Sequence, residues 1–485
     1  MASLLTFDTP IGFRLLDPGA GIGALSAAIC DRFAVLQPCR YLHIDLIEND
    51  LGVIPFLRQV MGRCSGALKE HGHSMSYEIH AEDFILDTAA SVFAPLTLFD
   101  KLSEWGDFDC VIMNPPYFKV SGVSQYARVM RDIVHGQPNI YAFFLAAAAR
   151  LLRPNGELVA ITPRSFCNGL YFRSFRQWLF ERMALDHIHL FESRKETFRN
   201  VLQESLITVY HRLGEPSPQV TITTSFGPSL RPAESRILPT STVIDNNRGH
   251  AIIRIPATDE DVAISALVES WPDHFSDVGL RISTGPVVMF RATEFLLPWP
   301  NNENSTPLFS VYNVKPFQTE WPVFHKNHPA ALKVCPESQR LLLPTRNYVL
   351  LRRFSAKEEH RRLMASCLLA SDVPTRFVAL ENHLNYVYHA ERDLTPDEAY
   401  GITAVFNSSL LDRYFRIISG NTQVNATEIR NMKFPSLSLV GMIGSRIRRL
   451  SAFDSDLAQR IVFSELSVNG EIAKHLMEGT LFGRT

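Results

Sequence analysis

Paired cysteines are missing from this chain. Its seven cysteines, Cys30, Cys39, Cys64, Cys110, Cys167, Cys335 and Cys367, are scattered with no C-x-x-C pair. That excludes the common zinc patterns and a disulfide framework, and an odd count suits a reducing cytoplasm. We therefore expect a cytoplasmic protein with no bound metal. An excess of charge of one sign is missing too: 48 Lys and Arg against 50 Asp and Glu leave a formal net charge of -2. Bulk, histone-like binding to nucleic acid is thereby excluded, but a local basic groove is not. No uncharged apolar run reaches the ~18 residues needed to cross a bilayer, so no membrane partner is expected. Internal repeats and long low-complexity runs are absent as well.

What is present is an ordinary globular composition, 46% hydrophobic and 20% charged, on 485 residues. That length exceeds one compact core and predicts two or three domains. From Phe13 to about Arg212, short β-rich runs alternate with amphipathic stretches, which predicts an α/β fold with a mostly parallel, helix-covered sheet. The run Phe13–Leu16 leads into Gly19, Gly21 and Gly23, then a helix over Ala24–Leu36. Tyr41–Ile47 predicts a strand ending at Glu48, and Asp109–Met113 a strand ending at Asn114-Pro115-Pro116-Tyr117. Asn139 is placed to cap a helix over Ile140–Leu152, which Arg153-Pro154-Asn155-Gly156 stops before a strand at Leu158–Ile161. Residues able to do chemistry thus fall just past strand ends, where open α/β sheets bind ligands.

After Arg212 the character changes. Residues 213–280 open on the Pro-, Ser- and Thr-rich stretch Gly214–Arg236 and read as a linker or irregular region. Residues 281–435 are a mixed segment rich in aromatic, Asn and basic residues; between Val311 and Arg362, ten Lys or Arg stand against four Asp or Glu. The tail, 436–485, carries amphipathic spacing at Arg446–Leu450 and Leu457–Leu466 that predicts helices.

The segment Leu15-Leu16-Asp17-Pro18-Gly19-Ala20-Gly21-Ile22-Gly23 reads as strand, glycine turn and helix start. Missing Cβ atoms let the backbone turn tightly and approach a ligand. No Lys-Ser or Lys-Thr follows, so it is not a P-loop, and the even glycine spacing departs from G-x-G-x-x-G. Glu48, at the end of the next strand, is placed to accept hydrogen bonds from both hydroxyls of a ribose; Asp45, nearer mid-strand, competes for that role. Asp83 could accept a bond from an adenine amino group, with Phe84 against the ring, or be a solvated loop acid.

Asn114-Pro115-Pro116-Tyr117 decides the chemistry. The lone pair of an aromatic amine is delocalised into its ring and is a poor nucleophile. Two acceptors placed on the amine hydrogens pull the nitrogen toward tetrahedral geometry and localise that pair. The Asn114 side-chain oxygen and the Pro115 carbonyl can supply both, consecutive prolines stiffen the loop, and Tyr117 offers a face for a base to stack on. A strand-ending [ND]-P-P-[YFW] arises by chance in roughly one chain of this length in a hundred.

Taken in order, Asp17-Pro18-Gly19-Ala20-Gly21-Ile22-Gly23, Glu48, Asp83-Phe84 and Asn114-Pro115-Pro116-Tyr117 resemble the gamma-class N6-adenine DNA methyltransferases of bacterial restriction–modification systems, and within them PstI-type or XhoI-type enzymes. The resemblance implies S-adenosyl-L-methionine as cofactor, held by Asp17, Pro18, Gly19, Ala20, Gly21, Gly23, Glu48, Asp83 and Phe84. It implies methyl transfer to adenine N6 in duplex DNA at a specific site, on a base flipped out of the helix, with Asn114, Pro115, Pro116 and Tyr117 catalytic. The fold implied is a seven-stranded, Rossmann-like methyltransferase sheet with one antiparallel strand, over residues 1–212, plus a C-terminal mixed α/β target-recognition domain. Asn139–Phe144 looks like the helix after the catalytic loop, and Glu157–Pro163 like the strand after that. Phe198, before the strand Ser205–Tyr210, matches the aromatic that faces Tyr117 across the flipped base; a core Phe is its plainer reading. Ser419–Arg430 and Arg346–Arg353 resemble parts of the recognition region. From these, Arg346, Arg352, Arg353, Arg361 and Arg362 are expected on phosphates, and Asn421, Gln423 and Asn425 on base edges or backbone; a solvated helix face is the rival for Lys357–Arg362. The partners implied are duplex DNA and a cognate restriction endonuclease on a separate chain, with this chain a monomer. Such enzymes carry a further cofactor-covering helix before the glycine turn. Here sixteen residues precede Asp17, and Met1–Leu5 resembles that helix's last turns, an expectation that the natural chain or a partner supplies the rest.

Methyltransferases of protein glutamine share the N-P-P-Y loop but are much shorter and lack so large a C-terminal region. Adenine methylation of RNA is distinguished by a competition assay. A scaffold with a dead cofactor fold predicts decayed motifs, and these are intact. A nicotinamide oxidoreductase is disfavoured by the glycine spacing.

Overall fold

The computed structural model describes every residue except 8–11, 37–39, 90–105, 132, 134–138, 192–203, 213–216, 226–233, 247–248, 301–303, 326–327, 356–358, 360, 421–422, 451–453 and 482–485. The described chain forms two compact units, Met1–Ala257 and Thr258–Thr485.

The first unit is built on strands β1 (Gly12–Pro18), β2 (Tyr41–Ile47), β3 (Ser74–His80), β4 (Phe108–Met113), β5 (Leu152–Pro163), β6 (Met183–Phe191), β7 (Ser205–Arg212), β8 (Gln219–Ser225) and β9 (Glu234–Pro239). They make one sheet in the order β3-β2-β1-β4-β5-β7-β6-β8-β9. From β3 to β5 all neighbours are parallel; β7 runs antiparallel to both β5 and β6, β8 is parallel to β6, and β9 closes the edge antiparallel. Central strands buried on both faces are nearly continuous apolar runs, and β4 is one apart from the half-buried Asp109: Phe108, Cys110, Val111, Ile112 and Met113 are all fully buried. Helices α1 (Ala24–Phe33) and α2 (Ile54–Glu70) contribute Ile29, Phe33, Leu57 and Met61 to one apolar cluster. Helices α3 (Gln125–Val129), α4 (Ile140–Leu151) and α5 (Arg173–Phe180) pack into a second cluster around Met113, Leu158 and Leu206. Arg176 of α5 is fully buried, donating to the carbonyls of Phe166, Gly169 and His250, and burial lowers its pKa to about 10.

Two expectations are corrected. Among the described residues the sheet has nine strands, not seven, and 213–280 is not a linker. Val220 and Ile222 of β8 are buried in the sheet core, between threonines whose branched side chains suit a strand. The unit boundary falls between Ala257 and Thr258. The second unit begins at once with a helix, Asp259–Glu269, closed by a capping box between Thr258 and Asp261.

That unit has a four-stranded antiparallel sheet (Leu280–Thr284, Leu384–His389, Tyr348–Arg352, Ala365–Leu368) and a five-stranded mixed one through Ser305–Phe309 and Phe377–Leu380. The helices Pro396–Asn407 and Leu437–Arg448 cross so closely that a Cβ on Gly401 would lie 1.8 Å from the Val440 carbonyl. The tail is helical at Ser455–Glu465 and Gly470–Leu481. No helix among the described residues is long and apolar enough to cross a membrane.

Candidate active site

Strand β1 lies between β2 and β4, so the chain leaves it in opposite directions on its two sides. Crossovers diverge there and leave a crevice beyond the carboxyl ends of the strands. Gly19, Glu48 and Asn114 follow β1, β2 and β4 and all line one cavity of about 270 Å³, together with Asp83, Phe84, Pro116, Phe118, Tyr126, Ile140 and Phe144.

The glycine turn is held on its neighbour strand by the Gly19 and Ala20 amides, which donate to the Ile47 carbonyl at 2.8 and 3.0 Å. Gly19, Gly21 and Gly23 all have positive φ, which side-chain-bearing residues rarely adopt. Glu48 accepts the Gly21 amide at 2.8 Å on Oε2 and the Asp50 amide at 2.8 Å on Oε1. These bonds fix the carboxylate and leave further lone pairs on both oxygens. Asp45, its sequence rival, points elsewhere: it is buried against Arg14 and His80 at 3.2 Å and His43 at 3.3 Å. Asp45, Glu78 and His80 offer ligand atoms within 4.8 Å of one another, but a guanidinium on the same carboxylate opposes a cation there. Asp17 is buried beneath the turn; Ser26 Oγ donates to its Oδ2 at 2.7 Å while Oδ1 has no hydrogen-bond partner among the described residues. Burial raises its pKa to about 7.

Asp83 heads the short helical stretch Phe84–Ala89, its Oδ1 accepting the Ile85 and Leu86 amides at 2.9 and 3.0 Å. Phe84 packs on Phe144 with ring centroids 5.0 Å apart. In the tetrapeptide after β4 Pro115 is buried, while Asn114, Pro116 and Tyr117 face solvent. The Tyr117 hydroxyl lies 2.9 Å from both Asn114 Oδ1 and the Ile161 carbonyl of β5, tying loop to sheet while 39% of the residue stays exposed. Burial of the hydroxyl pushes its pKa above the usual range. The Ile140 amide donates to the Phe118 carbonyl at 2.9 Å, pinning the loop's far end to α4. Asn139 takes the cap position of α4, yet its side chain makes no cap bond.

Tyr126, Phe144, Ile140 and Phe118 line the cavity and went unsingled by sequence reasoning. Ile140 and Phe144 are four apart and so share a helix face, a signal that was available. Tyr126 sits on α3, a helix of 5 residues that is too short to show a periodicity, and nothing local marks it. Phe198 and Asn421 lie outside the described residues.

The recognition candidates separate. Arg362 is corrected: only 1% exposed, it donates to Ser355 Oγ at 3.0 Å beside the Phe415 ring and cannot reach a phosphate. Arg352 is half-buried and spends its guanidinium on the Val314 carbonyl. Arg361 donates to the Asn407 carbonyl at 2.7 Å. Asn425 forms a capping box with Glu428, which gives it a structural duty. Arg353 holds Gln423 Oε1 at 3.4 Å and the Asn382 carbonyl at 3.1 Å, and Arg346 is exposed beside Asp393. The basic count read from sequence therefore overstates the free cations, since carbonyls and a buried pocket absorb several.

A mostly parallel sheet with a glycine turn at its switch point, an acid past the next strand and an N-P-P-Y loop past the strand on the other side define the class: an α/β methyltransferase. Comparison with known proteins takes it further. A family profile described as Eco57I restriction-modification methylase matches residues 65–198. The chain is 34% identical to the type II methyltransferase M.BsuBI of Bacillus subtilis over 449 residues, 92% of this chain and 87% of that one. It is 31% identical to the type II methyltransferase M.PstI of Providencia stuartii, with the same shares covered. The type IIL restriction-modification enzyme MmeI, solved in complex with DNA, shares the fold at a TM-score of 0.56 and 10% identity, over 98% of this chain and 70% of that one. The chain belongs to the type II methyltransferases of restriction–modification systems.

Proposed function

We propose that this protein transfers a methyl group from S-adenosylmethionine to the N6 amine of an adenine flipped out of duplex DNA. The observation that carries the reading is that Asn114 shares one cavity with Glu48 and Asp83. The residues fit the cofactor: one acid for a ribose, one for an adenine amino group, apolar walls from Phe84, Ile140 and Phe144, and a buried acceptor, Asp17 Oδ1, left without a donor. S-adenosylmethionine supplies a methyl group on a sulfonium, a leaving group that needs no acid catalysis.

Asn114 Oδ1 and the Pro115 carbonyl accept from the two hydrogens of the target amine and localise its lone pair for attack. Tyr117 stacks on the base, and its hydroxyl holds the Asn114 amide in place. By its resemblance to the family, Phe198 is the residue we assign to the other face. A few kcal/mol of unstacking is the cost of bringing the base out. In the second unit, Arg346, Arg353 and Gln423 are the groups we assign to duplex contacts. The protein works in the cytoplasm, beside a cognate endonuclease on a separate chain.

Asn114→Ala tests the assignment. The lost acceptor acts on the amine in the transition state, so transfer of labelled methyl should stop while cofactor affinity by calorimetry stays within a few-fold. Transfer near the wild-type rate would remove Asn114 from the chemistry.

A further inference from the structure

Asp83 carries one interaction that its place in the motif does not explain. Its Oδ1 is occupied by two backbone amides, while its Oδ2 accepts the Tyr126 hydroxyl at 2.6 Å. At 2.6 Å the bond is short, and a hydrogen bond to a carboxylate is about twice as strong as one between neutral groups. Held this way, the phenol keeps its proton: the bond to Asp83 raises its pKa to about 12. Both residues line the cavity. Tyr126 belongs to α3, whose first turn is capped by Ser124 Oγ accepting the Ala127 amide at 3.2 Å, a few residues after the catalytic loop.

A carboxylate offers about four lone-pair sites. Three are taken by Ile85, Leu86 and Tyr126, which leaves one on Oδ2. The phenolic hydrogen is committed to Asp83, so the phenol too can offer a ligand only lone pairs. The edge formed by Asp83 Oδ2 and Tyr126 Oη thus accepts and does not donate. It suits an amino group, and it sets lone pair against lone pair when it meets a carbonyl oxygen.

We propose that Tyr126 is a specificity-determining positioning residue, which fixes Asp83 so that the site takes a 6-amino purine and rejects a 6-oxo purine in the cofactor. The proposal rests on the reading of Asp83 as the adenine-binding acid. Without the hydroxyl, Oδ1 stays on its two amides but Oδ2 loses the donor that orients it and takes up water, and the selective edge weakens.

Binding of S-adenosylhomocysteine and S-inosylhomocysteine to the full-length protein, measured by calorimetry, separates the possibilities without relying on turnover. Wild type should prefer the adenosyl compound strongly. Tyr126→Phe keeps the ring and its packing, and should cut that preference about ten-fold by weakening the adenosyl compound alone, as expected for one hydrogen bond to a charged group. Asp83→Asn should abolish the preference. Equal weakening of both ligands by Tyr126→Phe, with a lowered melting temperature, would reduce Tyr126 to a packing role and overturn the proposal. A preference unchanged in Tyr126→Phe but lost in Asp83→Asn would also overturn it while leaving Asp83 as the adenine-binding acid. A preference unchanged in both variants would overturn the Asp83 reading itself.

Discussion

At the scale of single residues, Asp17 shows how a site position can be held at a cost in stability. Its carboxyl is fully buried with one hydroxyl donor, and burial lifts its pKa from 3.8 to about 7. Between those values the folded chain binds a proton that the unfolded chain has released, so stability falls as pH rises, from full below 3.8 to its lowest above 7. Asp17→Asn removes the titration. In urea unfolding we expect the variant to match wild type near pH 4 and to exceed it above pH 7 by on the order of a few kcal/mol, while its cofactor binding weakens. Curves that stay parallel across that range would contradict a buried, titrating Asp17. Tyr117 makes a related point. From sequence its ring face was the useful part, but the structure adds a hydroxyl that joins Asn114 to β5 through Ile161. A contact between a loop residue and a strand 44 positions away leaves no local signature.

At the scale of elements, the glycine turn depends on the absence of side chains. Gly23 has φ +85°, and a Cβ there would sit 2.7 Å from Leu57 Cδ1 and 3.2 Å from Met61 Cε. Gly23→Ala therefore meets two penalties, about 1–2 kcal/mol for the left-handed backbone and about 1–3 kcal/mol for overpacking. Made in a Leu57→Ala background, the same change should lose the second penalty and keep the first, as a double-mutant cycle of unfolding free energies would read. An unchanged cost in that background would mean that α2 does not press on the turn. The turn, β2, β4 and α4 were legible in the sequence because each joins an unbroken pattern to a distinct stop: Glu48, the two prolines, Arg153-Pro154-Asn155-Gly156. Strands β8 and β9 were not, because Pro, Ser and Thr around Gln219–Ser225 resemble loop composition while Val220 and Ile222 supply only two inward positions. Arg362 misled for another reason: charge is visible in a sequence, whereas the fully buried pocket beside Phe415 is made by residues fifty positions on.

At the scale of the whole molecule, a net charge of -2 means that attraction to DNA must come from a few placed cations rather than an overall field. Each of the two units has its own apolar clusters. The first carries the cavity lined by Glu48, Asp83 and Asn114; to it we assign cofactor binding and methyl transfer, and to the second recognition of the duplex. Methylation of adenine in DNA is the claim on which this division stands. It is tested most directly by incubating the full-length protein with methyl-labelled S-adenosylmethionine and a mixture of unmethylated duplex DNA and RNA, then digesting the products to nucleosides for mass spectrometry. The account predicts label in N6-methyldeoxyadenosine, none in ribonucleosides, and none anywhere with Asn114→Ala. Label on cytosine, on RNA or on protein, or no transfer by the wild-type chain to DNA containing its site, would contradict it.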